Sequence, residues 1–135
     1  MIYITRKEQF SASHLLANAE LTAEENLELF GKCNNLHGHN YYLEVTVCGT
    51  PDTKSGYVMD LKYLKDIITE EIIGKVDHRF LNEIEMFRNV IPTTENMAMV
   101  FWKILSDRVK TGNAQLYSVK IYETEKNFVL YKGGL

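Results

Sequence analysis

The sequence is poor in the features that mark disulfide-stabilised, membrane-bound or nucleic-acid-binding proteins. It has two cysteines and two prolines, too few cysteines for a disulfide framework. No apolar run approaches the roughly 20 residues of a membrane span, and the charged start, Met1–Glu8, does not resemble a signal peptide. Lys and Arg number 15 against 18 Asp and Glu, a net charge of -3, and no basic block is present to bind phosphates. We therefore expect a cytoplasmic protein with neither a membrane nor a nucleic acid as partner.

What the sequence does contain is enough apolar material for one core. Hydrophobic residues make up 45% of the 135 residues, and charged residues make up 24%. A chain of this length can bury about two thirds of its unfolded surface. The composition predicts a single domain over residues 1–135.

Several segments alternate apolar and polar residues in the manner of β-strands. Ile2–Phe10 leads into Ser11–His14, and His37–Cys48 alternates over its whole length. Leu116–Glu123 and Asn127–Tyr131 are rich in β-branched and aromatic residues and lie close together in the chain. The pattern predicts two long strands and a closing hairpin.

Helical spacing accounts for three other segments. Thr22 and Glu25 have the spacing of a capping box, which predicts a short helix over Glu24–Phe30. Asp60 is predicted to cap a helix that ends at Gly74, and Thr94 to cap another. The predicted buried stripes of these two helices are Leu61, Leu64, Ile68 and Ile72, and Met97, Val100, Phe101, Ile104 and Leu105.

The two longer helices and the four strands follow the order ββααββ, with Lys75–Pro92 between the helices predicted to be a loop. This order predicts an α+β fold with an antiparallel four-stranded sheet and two helices on one face. The other face is only partly polar and has uncovered edge strands. Its predicted members are Tyr42, Thr46, Cys48, Leu116 and Tyr122. We expect oligomers that form through the sheet edges.

Three of the four histidines, His14, His37 and His39, lie at predicted strand ends. Residues i and i+2 of a strand point to one face, so His37 and His39 can direct two imidazoles at one ion. His14 is placed to supply a third, which is the ligand number of catalytic zinc sites. The alternative is that each ring is an ordinary polar side chain at a strand end.

The two cysteines differ in setting. Cys33 lies in a polar, glycine-bearing loop that leads to His37, where a cation would make the thiol easier to ionise as a base or nucleophile. A fourth zinc ligand and an inert loop thiol are the alternatives. Cys48 ends an alternating strand and is predicted to be core packing.

Asp77, His78 and Glu123 are further candidates. Asp77 can orient the His78 imidazole, although a turn residue beside a surface histidine is the simpler interpretation. Glu123 continues the alternation of Tyr117, Val119 and Ile121, which directs its carboxylate inward. It would then grip adjacent N–H donors of a ligand or act as a base, unless it reaches water at the strand end.

Together these motifs resemble the family of 6-pyruvoyl-tetrahydropterin and 6-carboxy-tetrahydropterin synthases. The segments that carry the resemblance are Phe10–His14, Cys33–His39, Asp77–His78, Pro92–Asn96 and Tyr122–Thr124. The resemblance implies a tunnelling fold whose subunits form a barrel-shaped ring, with two trimeric rings stacked into a homohexamer. It also implies a pterin triphosphate substrate, 7,8-dihydroneopterin triphosphate.

The resemblance implies a role for each candidate residue. By this resemblance, Zn²⁺ would be held by His14, His37 and His39, and Cys33 would be the thiol that abstracts a proton. Asp77 and His78 form the proton relay, in which Glu123 is often included. Glu123 also grips the pterin ring, and Thr94 contacts it.

The reaction product depends on conflicting signals. The spacing Cys-x-x-x-His-Gly-His resembles the carboxy-forming enzymes of the queuosine route, which release acetaldehyde and triphosphate. The flanking segments Leu29–Asn35, Thr93–Asn96 and Tyr122–Thr124 resemble the pyruvoyl-forming branch instead. On the spacing we predict the carboxy product, with the pyruvoyl product as the alternative and a zinc- or pterin-binding subunit without turnover as a remote one.

Overall fold

Two long antiparallel strands form the centre of the fold. In the computed structural model, which describes residues 1–134, β1 spans Ile2–His14 and β2 spans His37–Gly49. Their register runs from Ile2 opposite Gly49 to His14 opposite His37. Side chains alternate between the faces, and the core face buries Phe10, Tyr41 and Leu43 completely or nearly so. Both strands were predicted, and their pairing brings His14 and His37 to the same end.

The sheet has five strands and is mixed, which corrects the prediction of four antiparallel strands. A short strand, β3 (Arg79–Phe80), pairs in parallel with Ala12 and Ser13 of β1. The predicted hairpin is present as β4 (Gln115–Tyr122) and β5 (Phe128–Tyr131), giving the order β3-β1-β2-β4-β5. Two residues are too few to show any alternation, so β3 was hidden in the predicted loop.

Three helices accompany the sheet, and the first is short. Helix α1 spans Ala23–Phe30 and begins with the predicted capping box, in which Thr22 and Glu25 each accept a hydrogen bond from the other's backbone N–H. It packs against the 3₁₀ turn Gly31–Asn34 that follows. The capping residues therefore predicted this helix to within one residue.

Helix α2 spans Leu61–Ile68, and the chain continues through a π-helical turn, Thr69–Ile73, to a last turn ending at Val76. Its cap is Asp60, as predicted, whose carboxylate accepts the Lys62 N–H at 2.9 Å. Gly74 does not end the helical segment as predicted but lies inside it. The π-helical turn before it inserts an extra residue, and the helix continues through Gly74 to Val76. The predicted stripe is also corrected at its start, since Leu61 in the first turn is exposed and Ile67 is buried.

Helix α3 spans Thr94–Arg108 and covers the β4–β5 side of the sheet. Its N-cap is Thr93, whose hydroxyl accepts the Asn96 N–H at 3.1 Å. The prediction that Thr94 is the cap was wrong by one residue, because two adjacent threonines satisfy the same pattern. Thr94 is the first helical residue, which leaves its buried hydroxyl available for another partner.

A β-bulge changes the faces of β4. Ser118 pairs with Thr46 but Leu116 pairs with Val47, so Tyr117 is an extra residue without a partner on β2. Leu116 therefore points into the core, where the sequence predicted Tyr117. Beyond the bulge the alternation is regular, and Val119 and Ile121 face the core as predicted.

The opposite face of the sheet carries aromatic and charged side chains. The Lys7 ammonium lies 4.7 Å from the centre of the Tyr42 ring, and the Lys120 ammonium lies 5.0 Å from that of Tyr122.

Of the helices in residues 1–134, none is long and apolar enough to cross a membrane.

Candidate metal centre and active site

Four side chains converge where β1 ends and β2 begins. His14, His37, His39 and Glu123 each offer one ligand atom, and these four atoms lie within 4.8 Å of one another. The β1–β2 register places His14 opposite His37, and His39 follows on the same face of β2. Glu123 comes directly after β4 and continues the core-facing alternation of Val119 and Ile121. Sheet geometry alone thus assembles the cluster from three strands.

Backbone carbonyls fix the orientation of two imidazoles. Nδ1 of His14 lies 2.8 Å from the Pro92 carbonyl oxygen, and Nδ1 of His37 lies 2.7 Å from that of Asn35. A carbonyl can only accept, so each Nδ1 carries the proton and each Nε2 is unprotonated, with a lone pair that a metal could use. Backbone carbonyls commonly orient metal-binding histidines in this way, through the ring nitrogen that does not bind the metal.

The third imidazole has an unsatisfied nitrogen. His39 Nε2 is buried and makes no hydrogen bond of acceptable geometry, although it lies 2.8 Å from Glu123 Oε1. The other carboxylate oxygen, Oε2, accepts the Thr94 hydroxyl at 3.0 Å. A cation between the imidazoles and the carboxylate would satisfy all of these groups, so the residues present fit a metal ion. Imidazole nitrogen and carboxylate oxygen are both zinc ligands.

Burial favours the neutral form of two imidazoles of the cluster, His14 and His39. It lowers the pKa of His14, which is 1% exposed, with the hydrogen bond to Pro92 acting in the opposite direction. Burial likewise lowers the pKa of His39, against the attraction of the Glu123 carboxylate. A neutral imidazole is the form that binds a metal, so the environment favours ligation over protonation.

Tyr41 is a member of this site that the sequence did not single out. Its hydroxyl lies 3.4 Å from His14 Nε2, and its ring stacks on Phe10 with ring centres 4.8 Å apart. Burial and the nearby Glu123 carboxylate raise the pKa of the phenol. The signal was available, because Tyr41 follows His37 and His39 on the same face of the strand.

Cys33 is not part of the cluster. It is exposed in the turn Gly31–Asn34, and its carbonyl accepts the Leu16 N–H at 2.8 Å. The Asn34 side chain also donates to the Leu16 carbonyl, at 3.0 Å, so two hydrogen bonds hold this turn against the segment that follows His14. Within residues 1–134 no cysteine joins the cluster. The second cysteine, Cys48, is buried, as predicted.

Asp77 and His78 form a contact pair at the edge of β1. Asp77 Oδ1 lies 3.0 Å from His78 Nδ1 and accepts the Ser11 N–H at 2.9 Å. The hydrogen bond from Ser11, with a smaller effect of His78, lowers the pKa of Asp77. The His78 side chain is 83% exposed and its φ is 61°, a left-handed conformation held by the bond from its N–H to the Ser11 carbonyl.

An open cavity of about 600 Å³ lies beside this pair. Its lining includes His78, His39, Asn40 and the polar side chains Ser11 and Ser13. His39 and His78 are both among the residues that line this cavity, which is large enough for a small ligand.

Comparison with known proteins identifies the family. The family model described as 6-pyruvoyl tetrahydropterin synthase matches residues 3–134. The chain belongs to the 6-pyruvoyl tetrahydropterin synthase family. It is 47% identical over 133 residues to the 6-pyruvoyl tetrahydrobiopterin synthase of Homo sapiens, covering 96% of this chain and 90% of the relative.

A solved structure supports the same relationship. The 6-pyruvoyl tetrahydropterin synthase of Caenorhabditis elegans superimposes with a TM-score of 0.91 at 40% identity, covering 98% of this chain and 96% of that one. The five-stranded α+β domain is therefore the fold of the 6-pyruvoyl tetrahydropterin synthase family, and the chain is an enzyme of that family.

The comparisons weigh against the product that the spacing of Cys33 and His37 predicts. A 6-carboxy-5,6,7,8-tetrahydropterin synthase of Rickettsia typhi is 29% identical over 151 residues, covering 96% of this chain and 99% of the relative. The identity to the human pyruvoyl-forming relative is much higher. These identities favour the pyruvoyl alternative, in agreement with the flanking motifs and against the spacing of the loop.

Proposed function

We propose that the chain is a zinc-dependent 6-pyruvoyl tetrahydropterin synthase, which converts 7,8-dihydroneopterin triphosphate to 6-pyruvoyl tetrahydropterin and triphosphate. The observation that carries this proposal is 47% identity to the human relative of that name, against 29% to the carboxy-forming one. The metal-binding geometry of the cluster supports the same activity. A cytoplasmic homohexamer, a dimer of trimers, remains the expected state of the enzyme.

His14, His37 and His39 are the residues that would hold the zinc ion. Their Nε2 atoms converge, and a backbone carbonyl fixes the Nδ1 of His14 and of His37. When bound there, zinc supplies Lewis-acid polarisation of the substrate's side-chain oxygens.

Cys33 is the proposed base that removes a proton from the side chain of the substrate. Its turn is exposed to solvent and attached to the segment after His14, so the thiol can approach a ligand bound at the cluster. Thiolate is the form that can accept a proton, and a nearby cation favours it.

Asp77 and His78 are proposed to move the proton. The Asp77 carboxylate is kept ionised by the Ser11 N–H and orients the His78 ring through Nδ1. The exposed Nε2 is then free to exchange a proton with ligand or solvent, which is the work of a carboxylate-oriented histidine in general acid–base catalysis.

Glu123 is proposed to bind the pterin ring through adjacent N–H groups, with Thr94 as its neighbour. The Thr94 hydroxyl already holds one carboxylate oxygen, at 3.0 Å. Such a contact orients the ring so that the side chain lies toward the histidines.

The reaction needs no external oxidant. Loss of a proton and of triphosphate from adjacent side-chain carbons leaves an enol, which tautomerises to one ketone. The other side-chain carbinol loses two hydrogens and becomes the second ketone. The dihydropterin ring gains these two hydrogens and becomes a tetrahydropterin. The carboxy product remains the second candidate, because the spacing between Cys33 and His37 favours it.

Incubation of the zinc-loaded enzyme with 7,8-dihydroneopterin triphosphate tests the proposal, with the products identified by mass. We expect 6-pyruvoyl tetrahydropterin and triphosphate without acetaldehyde. Acetaldehyde together with 6-carboxy-tetrahydropterin would establish the second candidate instead. Binding of zinc and pterin without turnover would indicate the non-catalytic subunit.

A further inference from the structure

The turn that carries Cys33 is joined to the segment after His14 by an asparagine side chain. Of the four residues Gly31–Asn34, Asn34 alone is half-buried, and the other three are exposed. Its amide donates to the Leu16 carbonyl at 3.0 Å. We propose that Asn34 is a positioning residue, which fixes the Cys33 turn against Leu16 and so holds the thiol toward the metal-binding cluster. This inference rests on the proposed function, in which Cys33 is the base.

The two hydrogen bonds between the turn and Leu16 are the first reason. The Leu16 N–H donates to the Cys33 carbonyl at 2.8 Å, and the Leu16 carbonyl accepts the Asn34 amide. A single hydrogen bond is a pivot about which an exposed turn can rotate, whereas two bonds from adjacent residues define its orientation. The backbone bond is available to almost any side chain, so the amide of Asn34 is what makes the orientation specific.

The segment that Asn34 binds is itself held in place, which is the second reason. Leu15, which separates His14 from Leu16, has both of its backbone groups bound by the Asn82 side chain. The Leu15 N–H donates to Oδ1 at 3.0 Å, and the Leu15 carbonyl accepts from Nδ2 at 2.9 Å. A side-chain amide has both a donor and an acceptor, so it can pair with the backbone as a neighbouring strand would. Asn34 therefore attaches the turn to a segment whose position relative to His14 is fixed.

The short chain between Cys33 and His37 is the third reason. Three residues separate them, so their Cα atoms can lie no more than about 14 Å apart. His37 lies opposite His14 in the β1–β2 register, and the contact of the turn with Leu16 extends this pairing beyond the strand ends. A base must come within about 3 Å of the proton that it removes. A small rotation of the exposed turn would therefore take the thiol out of reach of a ligand at the cluster.

The variant Asn34→Leu tests the inference, because leucine keeps the shape of the side chain and removes its donor. With zinc and 7,8-dihydroneopterin triphosphate we expect kcat to fall by about 10²-fold, the effect of misplacing a reacting group by about 1 Å. KM and zinc affinity should stay close to those of the parent protein, because Asn34 is not part of the cluster. Asn34→Ala, which adds no apolar volume, should give the same fall. Loss of zinc together with turnover in both variants would overturn the proposal.

Hydrogen exchange of the metal-free protein measures the order of the turn without turnover. The Leu16 N–H, which binds the Cys33 carbonyl, should exchange about tenfold faster in Asn34→Leu than in the parent, as expected for the loss of about one hydrogen bond. Asn113→Leu is the matched control, because the Asn113 amide donates to the Thr50 carbonyl at 2.8 Å, beyond the other end of β2. That variant should keep the parent's kcat and its exchange rate at Leu16. An unchanged exchange rate in Asn34→Leu would contradict the proposal.

A double-mutant cycle with Cys33→Ala shows whether Asn34 acts through the thiol. A positioning residue has nothing to position once the thiol is removed. Adding Asn34→Leu to Cys33→Ala should therefore cause no further loss of the residual turnover. A further loss as large as that in the parent protein would mean that Asn34 acts on the fold and not on Cys33, and the proposal would be wrong.

The failure of this inference and that of the proposed function give different results. Asn34→Leu with the kcat of the parent, beside an impaired Cys33→Ala, would refute the positioning role and leave the synthase assignment intact. A Cys33→Ala variant with full turnover would instead remove the base from the proposed function, and the positioning role of Asn34 with it.

Discussion

At the scale of single residues, the two nitrogens of each imidazole have separate tasks. Nδ1 of His14 and of His37 is used by a backbone carbonyl, and this bond fixes where Nε2 points. The carbonyls come from Pro92, just before α3, and from Asn35, just before β2. The orientation of these two imidazoles is therefore set by the backbone of two loops. Substitutions that change only the side chains of those loops should disturb this orientation little.

Replacing Cys33 separates the base from the metal ligands. Because its thiol is not in the cluster, Cys33→Ala should retain zinc and folding while turnover falls by about 10²- to 10⁴-fold, the usual contribution of a general base. Metal analysis and steady-state kinetics check this. Cys48→Ala is the matched control: it alters a buried packing residue and should keep turnover per folded molecule. Loss of zinc in Cys33→Ala would instead make Cys33 a ligand.

The lowered pKa values of His14 and His39 predict how stability depends on pH in protein stripped of metal. Below about pH 6.5 the unfolded chain protonates these imidazoles, whereas the folded chain does so only at lower pH. The free energy of unfolding should therefore fall as pH drops from about 6.5 to the folded pKa, by up to about 1.4 kcal/mol per pH unit for each histidine. Urea unfolding with a chelator present measures it.

A variant and a second pH window serve as controls for this effect. His14→Gln removes one of the titrating rings and should make the dependence on pH shallower. The pKa of Asp77 is lowered from its usual value of 3.8. Its ionised carboxylate therefore stabilises the fold above about pH 3.8, and this contribution to the free energy of unfolding is lost only in stronger acid. A stability that stays constant between about pH 7 and about pH 5 would contradict the prediction.

At the scale of secondary-structure elements, regular alternation made the cluster predictable from sequence. The period of two in β2 places His37 and His39 on one face, and it also places Glu123 inward after β4. Alternation alone does not predict the register between two strands. It also does not predict where a β-bulge interrupts the period of two. The bulge at Tyr117 reverses the faces for Leu116, and only the pairing with Val47 reveals it.

Contacts between distant segments were equally invisible to sequence patterns. Asp77 and His78 follow the last helical turn after α2, and their position is fixed by hydrogen bonds to Ser11, 66 residues earlier for Asp77. Pro92 is recruited to His14 across a separation of 78 residues. No local period encodes such pairs, so the sequence named Asp77, His78 and His14 as candidates but did not reveal their partners Ser11 and Pro92.

The adjacent threonines at the start of α3 should have distinguishable roles. Thr93→Ala removes the cap on the Asn96 N–H and should lower the free energy of unfolding by about 1 kcal/mol, with zinc affinity unchanged. Thr93→Ser keeps the hydroxyl and should behave almost as the parent protein. Denaturant unfolding and zinc titration measure the two effects. A Thr93→Ala variant as stable as the parent would contradict the cap assignment.

At the scale of the whole molecule, both edges of the sheet are open along much of their length within residues 1–134. β3 pairs only with Ala12 and Ser13, so the rest of β1 has one free side. The other edge is β5, where the side chains of Phe128 and Leu130 are 53% and 49% exposed. Unpaired N–H and C=O groups beside exposed apolar side chains are the usual features of a strand that pairs with another chain. Two different edges can join head to tail and close a ring.

The open edges predict a closed ring of subunits whose assembly depends on the β5 edge, and the proposed function makes the expected assembly a homohexamer. Light scattering should give a mass near six times the 15.6 kDa of the chain. Leu130→Lys places a charge on that edge and should shift the mass toward smaller species, because burying an unpaired ammonium between subunits is costly. Met99→Lys changes a comparably exposed apolar residue on the outer side of α3 and should leave the mass unchanged. A parent protein of about 15.6 kDa at micromolar concentration would rule out the ring and leave both edges without a partner.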